Sequence, residues 1–219
     1  MATIKVNLDK AMGKAAQDEL WAIRGQAIQS YATLEQALCN VFSLAADLRR
    51  DIGGIIFFRI VNTPARDAIL GELLKVKFGG RFNLFWNSVL KELKEISGKR
   101  NEIVHWNAIS NISADANGEQ TVEVFLRPPK SWGYDPAAPV VKTPDLKDFM
   151  SKCEFYTKAC NAFYFIMKPP APGDVVISEN ERQPWLGLFQ HPLAYPPPST
   201  HLLSASYAGP QSVPSMPEE

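Results

Sequence analysis

One stretch limits the folds open to this chain more than any other. Phe82, Phe85, Trp86, Val89, Leu90, Leu93 and Ile96 recur at three- and four-residue steps. Side chains at that spacing share one face of an α-helix, and a face so apolar needs a partner surface. An aromatic stripe of this kind is core far more often than a base-stacking platform. Two further stripes answer it. From near Gln17 to about Leu48, the residues Ile28, Tyr31, Leu34, Leu38, Val41, Phe42, Ala45 and Leu48 keep the same period. From Thr143-Pro144 onward, Leu146, Phe149, Met150, Cys153, Tyr156, Cys160, Phe163, Tyr164 and Met167 form another broad face. The expectation is a mainly α protein in which these faces bury one another.

Breakers divide the rest. Gly53-Gly54 interrupts the pattern after the first helix, and Ile55 to Val61 fits strand or helix by periodicity alone, the bundle context making it a short helical segment. Asn62-Thr63-Pro64 is a start signal with Thr63 as cap, and the helix it opens carries Ile69, Leu70, Leu73 and Leu74 inward before Gly79-Gly80 stops it. After Trp106 the period becomes two. Ala108–Ile112 and Thr121–Leu126 flank a turn at Asn117-Gly118, which predicts a β-hairpin, and Trp132 to Pro139 reads as a long loop. Beyond Lys168, eleven of the 17 prolines fall between Pro169 and Pro217, so that segment is expected to resist helix and sheet and to be largely disordered. Pro184-Trp185-Leu186-Gly187-Leu188-Phe189 is an apolar island within it, suited to docking on the bundle or binding a partner protein. The resulting division is a flexible N-terminus over 1–16, a helical domain over 17–168 with a hairpin insertion at about 107–127, and a tail over 169–219.

The chemistry-bearing residues cluster where the Phe82–Ile96 stripe ends, at Arg100-Asn101-Glu102-Ile103-Val104-His105-Trp106. His105 is the only one of the three histidines outside the proline-rich tail. Asn101 and His105 differ by about 40° on a helix, and Arg100 lies about 140° from His105 but is long enough to swing toward it. A guanidinium fork, an amide and an imidazole within about a turn and a half suit a phosphodiester. One group holds non-bridging oxygens, and another moves protons near neutral pH. Ser97-Gly98 predicts a local bend that would expose Arg100, His105 and Trp106 at the bundle surface. Glu35, inside the first stripe, is either an exposed neighbour of the core or a partner for Arg100. Glu102 is a second supporting candidate.

Arg100-Asn101-Glu102-Ile103-Val104-His105 resembles the Arg-x(4–6)-His motif of the HEPN superfamily, including the polar residue directly after the arginine. Tyr31-Ala32-Thr33-Leu34-Glu35-Gln36-Ala37-Leu38 in a long first helix and Phe85-Trp86 ahead of the motif extend the likeness over about residues 20–168. The resemblance implies a HEPN-like bundle of four to five helices. It also implies a homodimer that cleaves single-stranded RNA through the 2′-hydroxyl without a metal or other cofactor, with toxins and defence effectors among the expected roles. Arg100, Asn101 and His105 would be its catalytic residues. Some members keep the bundle without the catalysis, so an inactive helical dimerisation or interaction module is the rival expectation. Toxins silenced by a nucleotidyltransferase typically carry tyrosine two residues after the histidine; here that residue is Asn107.

Formal net charge is zero, so no bulk field draws the chain to RNA or a membrane. Affinity for RNA must come from a local patch. Lys75, Lys77, Arg81, Lys91, Lys94, Lys99 and Arg100 face only Glu92 and Glu95 in their stretch, and Lys91, Lys94 and Lys99 are the RNA-binding candidates beside the motif. Cys39, Cys153 and Cys160 fall on apolar helix faces and read as core residues of a reducing compartment. No metal-ligand spacing appears. The N-terminal residues lack an apolar stretch of signal-peptide length, and no run reaches membrane-spanning length, so the expectation is a cytoplasmic protein.

Overall fold

The computed structural model describes residues 10–114, 120–129, 137–170, 177–198 and 201–204. Among them the chain forms six helices and one antiparallel hairpin: α1 (Lys10–Ala45), α2 (Arg50–Arg59), α3 (Thr63–Phe78), α4 (Asn83–His105), β1 (Asn107–Ala114), β2 (Gln120–Arg127), α5 (Thr143–Met167) and α6 (Glu179–Leu188). The mainly helical expectation holds, with more helices than anticipated. The anticipated turn at Asn117-Gly118 and most of the loop after Trp132 lie outside the described residues.

The three stripes bury one another. Leu20, Ala27, Tyr31, Leu34, Leu38, Val41 and Phe42 of α1 meet Leu146, Phe149, Cys153, Tyr156 and Cys160 of α5, while Phe85, Trp86, Val89, Leu93 and Ile96 of α4 close the third side. All three cysteines are buried free thiols. Phe163 is the hub of an edge-to-face aromatic cluster, 5.0 Å from the Trp86 ring and 5.3 Å from that of Phe82.

Four expectations are corrected. First, α1 starts at Lys10, so part of the segment anticipated as a flexible N-terminus is helix. Second, Gly53-Gly54 lies inside α2 instead of breaking a helix. A Cβ built on Gly53 would stand 2.1 Å from Ser43 Oγ of α1, so the glycine is there for close helix contact. The actual break is the turn after α1, where Asp47 takes a positive φ of 54°. Third, Asn62 and not Thr63 caps α3: its side chain accepts from the Ala65 amide. Fourth, the proline-rich segment carries α6, despite Pro184 within it. Ser178 and Glu181 form a capping box at its start. Phe189 enters the aromatic cluster 5.0 Å from Phe163, Leu193 donates its amide to Ser88 Oγ at 2.7 Å, and Leu203 is buried. The apolar island therefore docks on the bundle, and its burial offsets the poor intrinsic helix propensity.

The hairpin is anchored on its β2 side. Leu126 is fully buried and exchanges backbone hydrogen bonds with Val141 at 2.8 and 3.0 Å. Asn107 pairs with Arg127 at the root of the ladder, two residues beyond His105. The hairpin thus begins where the motif helix ends.

Candidate functional site

α4 runs unbroken through Ser97-Gly98 to His105. Ser97-Gly98 does not interrupt it, because a helical glycine with open space around it, as at Gly98, costs propensity without ending the helix. A continuous helix leaves Arg100 and His105 about 140° apart and about 7.5 Å apart along the axis. Their surroundings differ accordingly.

Arg100 turns back toward α1. Its guanidinium carbon stands 5.2 Å from the centre of the buried Tyr31 ring, a cation–π contact, and its Nη1 donates to Asn101 Oδ1 at 3.1 Å. Around it lies a polar seam between α1, α3 and α4. Ser97 is a hydrogen-bond partner of the Tyr31 side chain, whose pKa is raised by burial and by the nearby Glu35. Glu35 does not pair with Arg100. It accepts from Arg66 of α3 at 2.5 Å, and the Arg66 guanidinium also lies 4.3 Å from the Phe57 ring centre. Arg66 is the more buried of the two arginines, so the carboxylate neutralises the cation whose desolvation costs more.

Arg100 and Asn101 then open onto a cleft of about 700 Å³ between α3 and α4, which Thr63, Pro64, Asp67, Ala68, Leu90, Lys94 and Ser97 also line. Asp67 went unremarked in the sequence. Burial lifts its carboxyl from 3.8 to about 6, with Glu35 adding to the rise and Arg66 opposing it. Only its place one residue after Arg66, near a helix start, hinted at it, and many surface aspartates share that place. A shifted carboxyl in a cleft is a functional-site signature.

His105 is the last residue of α4 and is exposed. It does not line that cleft, and its side chain makes no hydrogen bond or ion pair with a described residue. The backbone beneath it is held firmly. Arg24 of α1 donates from Nε to the Ile103 carbonyl at 2.7 Å, and from Nη2 to the carbonyls of Val104 at 2.8 Å and Trp106 at 3.1 Å. One guanidinium thus caps the end of the motif helix, satisfying its terminal carbonyls and opposing the negative end of its dipole. Burial lowers the Arg24 pKa. Nothing in the spacing marks this residue, because its partners are 79 to 82 positions away. Trp106 is half-buried against the core, not exposed as anticipated.

The basic patch is thinner than its sequence suggests. Lys75 pairs with Glu72 at 2.7 Å, Lys77 pairs with Asp47, and Arg81 lies over the Phe82 ring. Lys99 is bound to Glu102 at 2.8 Å, which commits one RNA-binding candidate and one supporting carboxylate to each other. Glu92 and Glu95 are themselves engaged by Lys152. Lys91 and Lys94 remain exposed on α4, and Lys94 alone of the candidate lysines reaches the cleft. Among the described residues no group of three or more His, Cys, Asp or Glu side chains is placed to share a metal ion, and no helix is long and apolar enough to cross a membrane. No protein-family model, curated protein or solved structure matches this chain.

Proposed function

We propose that the protein is a metal-independent endoribonuclease of HEPN type, acting in the cytoplasm on single-stranded RNA. The observation that carries the reading is the exposed imidazole of His105, without a hydrogen-bond partner among the described residues, on a helix end capped by Arg24, with Arg100 and Asn101 about one turn earlier beside an open cleft. RNA supplies its own nucleophile. The protein needs only a proton carrier for the 2′-hydroxyl or the leaving 5′-oxygen and a cation for the crowded phosphate. His105 is the proton carrier and Arg100 the phosphate clamp. Asn101 shares a helix face with His105 and a hydrogen bond with Arg100, so it links the two. Because Arg100 and His105 diverge around one helix, a second copy of the chain completes the site in this reading, each supplying what the other lacks.

A second reading, an inactive interaction module, draws on a different observation. Ile52, Ile55, Ile56, Phe58 and Val61 leave a strongly apolar face exposed on and just after α2. The experiment that separates the readings is incubation of labelled single-stranded RNA with wild type and with His105→Ala, in chelator, with DNA as control. The ribonuclease reading expects RNA cut to 2′,3′-cyclic or 3′-phosphate ends by wild type only, and DNA untouched. No cleavage of any RNA by wild type favours the module.

A further inference from the structure

The cleft beside Arg100 is larger than a phosphate clamp requires. Its volume of about 700 Å³ lies within the usual span of small-ligand sites, roughly 300–1,000 Å³. Its two walls differ in charge. The α4 wall carries Lys94, Ser97 and Arg100, and the α3 wall carries Asp67, with Pro64 and Ala68 as apolar neighbours. Arg66, the cation nearest Asp67 in sequence, is committed to Glu35. The Asp67 carboxyl has no hydrogen bond or ion pair to a described residue, so both its oxygens are available to the cleft. A half-buried carboxylate with unused acceptors, opposite two cations, suits a ligand that carries an anion at one end and paired N–H donors at the other.

We infer that this cleft is a guanine-nucleotide subsite: the phosphate lies against Arg100 and Lys94, and the N1–H and N2–H of the base donate to the two oxygens of Asp67. The base identity follows from donor geometry. A carboxylate accepts two parallel hydrogen bonds in its plane. Of the four RNA bases only guanine offers two adjacent N–H donors on its Watson–Crick edge. Adenine and cytosine place an acceptor nitrogen beside their amine, and uracil flanks its single N–H with carbonyls. Each would aim a lone pair at the carboxylate and leave buried polar atoms unsatisfied. The upward shift of the Asp67 pKa fits this role, since burial and Glu35 disfavour the charged form, Arg66 only partly offsets them, and ligand donors would restore it. Lys94 and Arg100 are the other charged groups lining the cleft. The inference rests on the ribonuclease reading for its RNA context and gives that reading a specificity-determining residue, Asp67, which selects guanine next to the cut phosphate.

The test has two arms on the full chain at pH 7.5. Calorimetry with 5′-GMP, 5′-AMP, 5′-CMP and 5′-UMP should show GMP bound at least about tenfold more tightly than the others. Asp67→Asn should bring the four within about threefold, since an amide offers one acceptor and one donor instead of two acceptors. Ala68→Trp keeps the carboxyl and fills the space, and should abolish binding of all four. The second arm maps the cuts in a random single-stranded RNA, which should flank guanine in wild type and lose that preference in Asp67→Asn. Equal or undetectable binding of the four nucleotides by folded wild type, or a GMP preference that survives Asp67→Asn, overturns the subsite. Cleavage without guanine preference, together with equal nucleotide affinities, overturns the subsite and leaves the ribonuclease reading standing. GMP selectivity without any RNA cleavage supports the subsite as a free-nucleotide site and overturns the ribonuclease reading.

Discussion

Arg100 and His105 share one helix, yet the regions around them are built on different principles. The Arg100 region is a polar seam in which polar groups are engaged internally: Glu35 by Arg66, the guanidinium of Arg100 by the Tyr31 face, and Ser97 by a hydrogen bond with the Tyr31 side chain. The His105 region holds its backbone and leaves its side chain alone. Arg24 clamps three carbonyls there, while the imidazole has no partner among the described residues. Within one helix, a side chain tied into the packing stands about a turn and a half from one that only the backbone holds in place. One end is woven into the fold, and the other is presented by it.

That contrast makes sharp predictions about which substitutions damage activity alone. His105→Ala should cost roughly 10²–10⁴-fold in RNA cleavage through lost proton transfer and leave the melting temperature unchanged, since the side chain is exposed and makes no hydrogen bond or ion pair with a described residue. Arg100→Ala should lose a comparable factor and also lower stability by about 1 kcal/mol through the lost contact with Tyr31. Arg100→Lys should recover only part of the activity, because an ammonium lacks the bidentate fork. Equal thermal shifts for the alanine variants at 100 and 105 would erase the distinction between the two regions. If two copies share the chemistry, mixing the inactive Arg100→Ala and His105→Ala proteins should restore measurable cleavage, and sedimentation should show a dimer at tens of micromolar, about the range where weak homodimers assemble.

Stability effects come next. Arg24→Met keeps much of the apolar stem and removes all three carbonyl bonds, so denaturant unfolding should report a loss of about 2–3 kcal/mol. Activity should fall as well, through frayed geometry at His105. A stable Arg24→Met protein with full activity would mean that the cap positions nothing.

The smallest effect concerns Asp67. Its folded-state pKa of about 6 stands above the ordinary 3.8, so the folded protein binds the proton more tightly and loses stability as pH rises through that window. Asp67→Asn removes this loss. It should stabilise the protein by about 1 kcal/mol at pH 7.5, after allowance for solvent screening, with the gain vanishing near pH 4. Melting curves at the two pH values check the sign. A gain at pH 4 as large as at pH 7.5 would contradict the raised pKa.

The parts of this molecule that were legible in its residues share a cause. The stripes of α1, α4 and α5 are periodic patterns whose meaning is local, and most of their anticipated positions are buried, whereas Ile28 of α1 and Ile69 of α3, also expected to face inward, are exposed. What was illegible depended on the third dimension. Gly53 looked like a helix breaker because its reason, the close approach of Ser43, belongs to another helix. The prolines after Lys168 argued against structure, but Phe189 and Leu193 found a ready-made aromatic surface and α4 to hold them. At the site, spacing picked out Arg100, Asn101 and His105. It could not assign Glu35 to Arg66, bring Arg24 to the helix end, or show that Asp67 faces the same cleft as Arg100. Those three are pairings across the bundle, and no periodicity encodes them.

In the ribonuclease reading, RNA is cut by its own 2′-hydroxyl with His105 moving the proton. The most direct measurement uses two single-stranded oligonucleotides of one sequence, all-ribose and with a single 2′-deoxyribose at the mapped cut, each treated in chelator with wild type and with His105→Ala. The expected result is a cyclic-phosphate end from the all-ribose strand with wild type alone, and an intact bond wherever the 2′-hydroxyl is missing. Cutting at the deoxyribose position, or cleavage undiminished by His105→Ala, would contradict it.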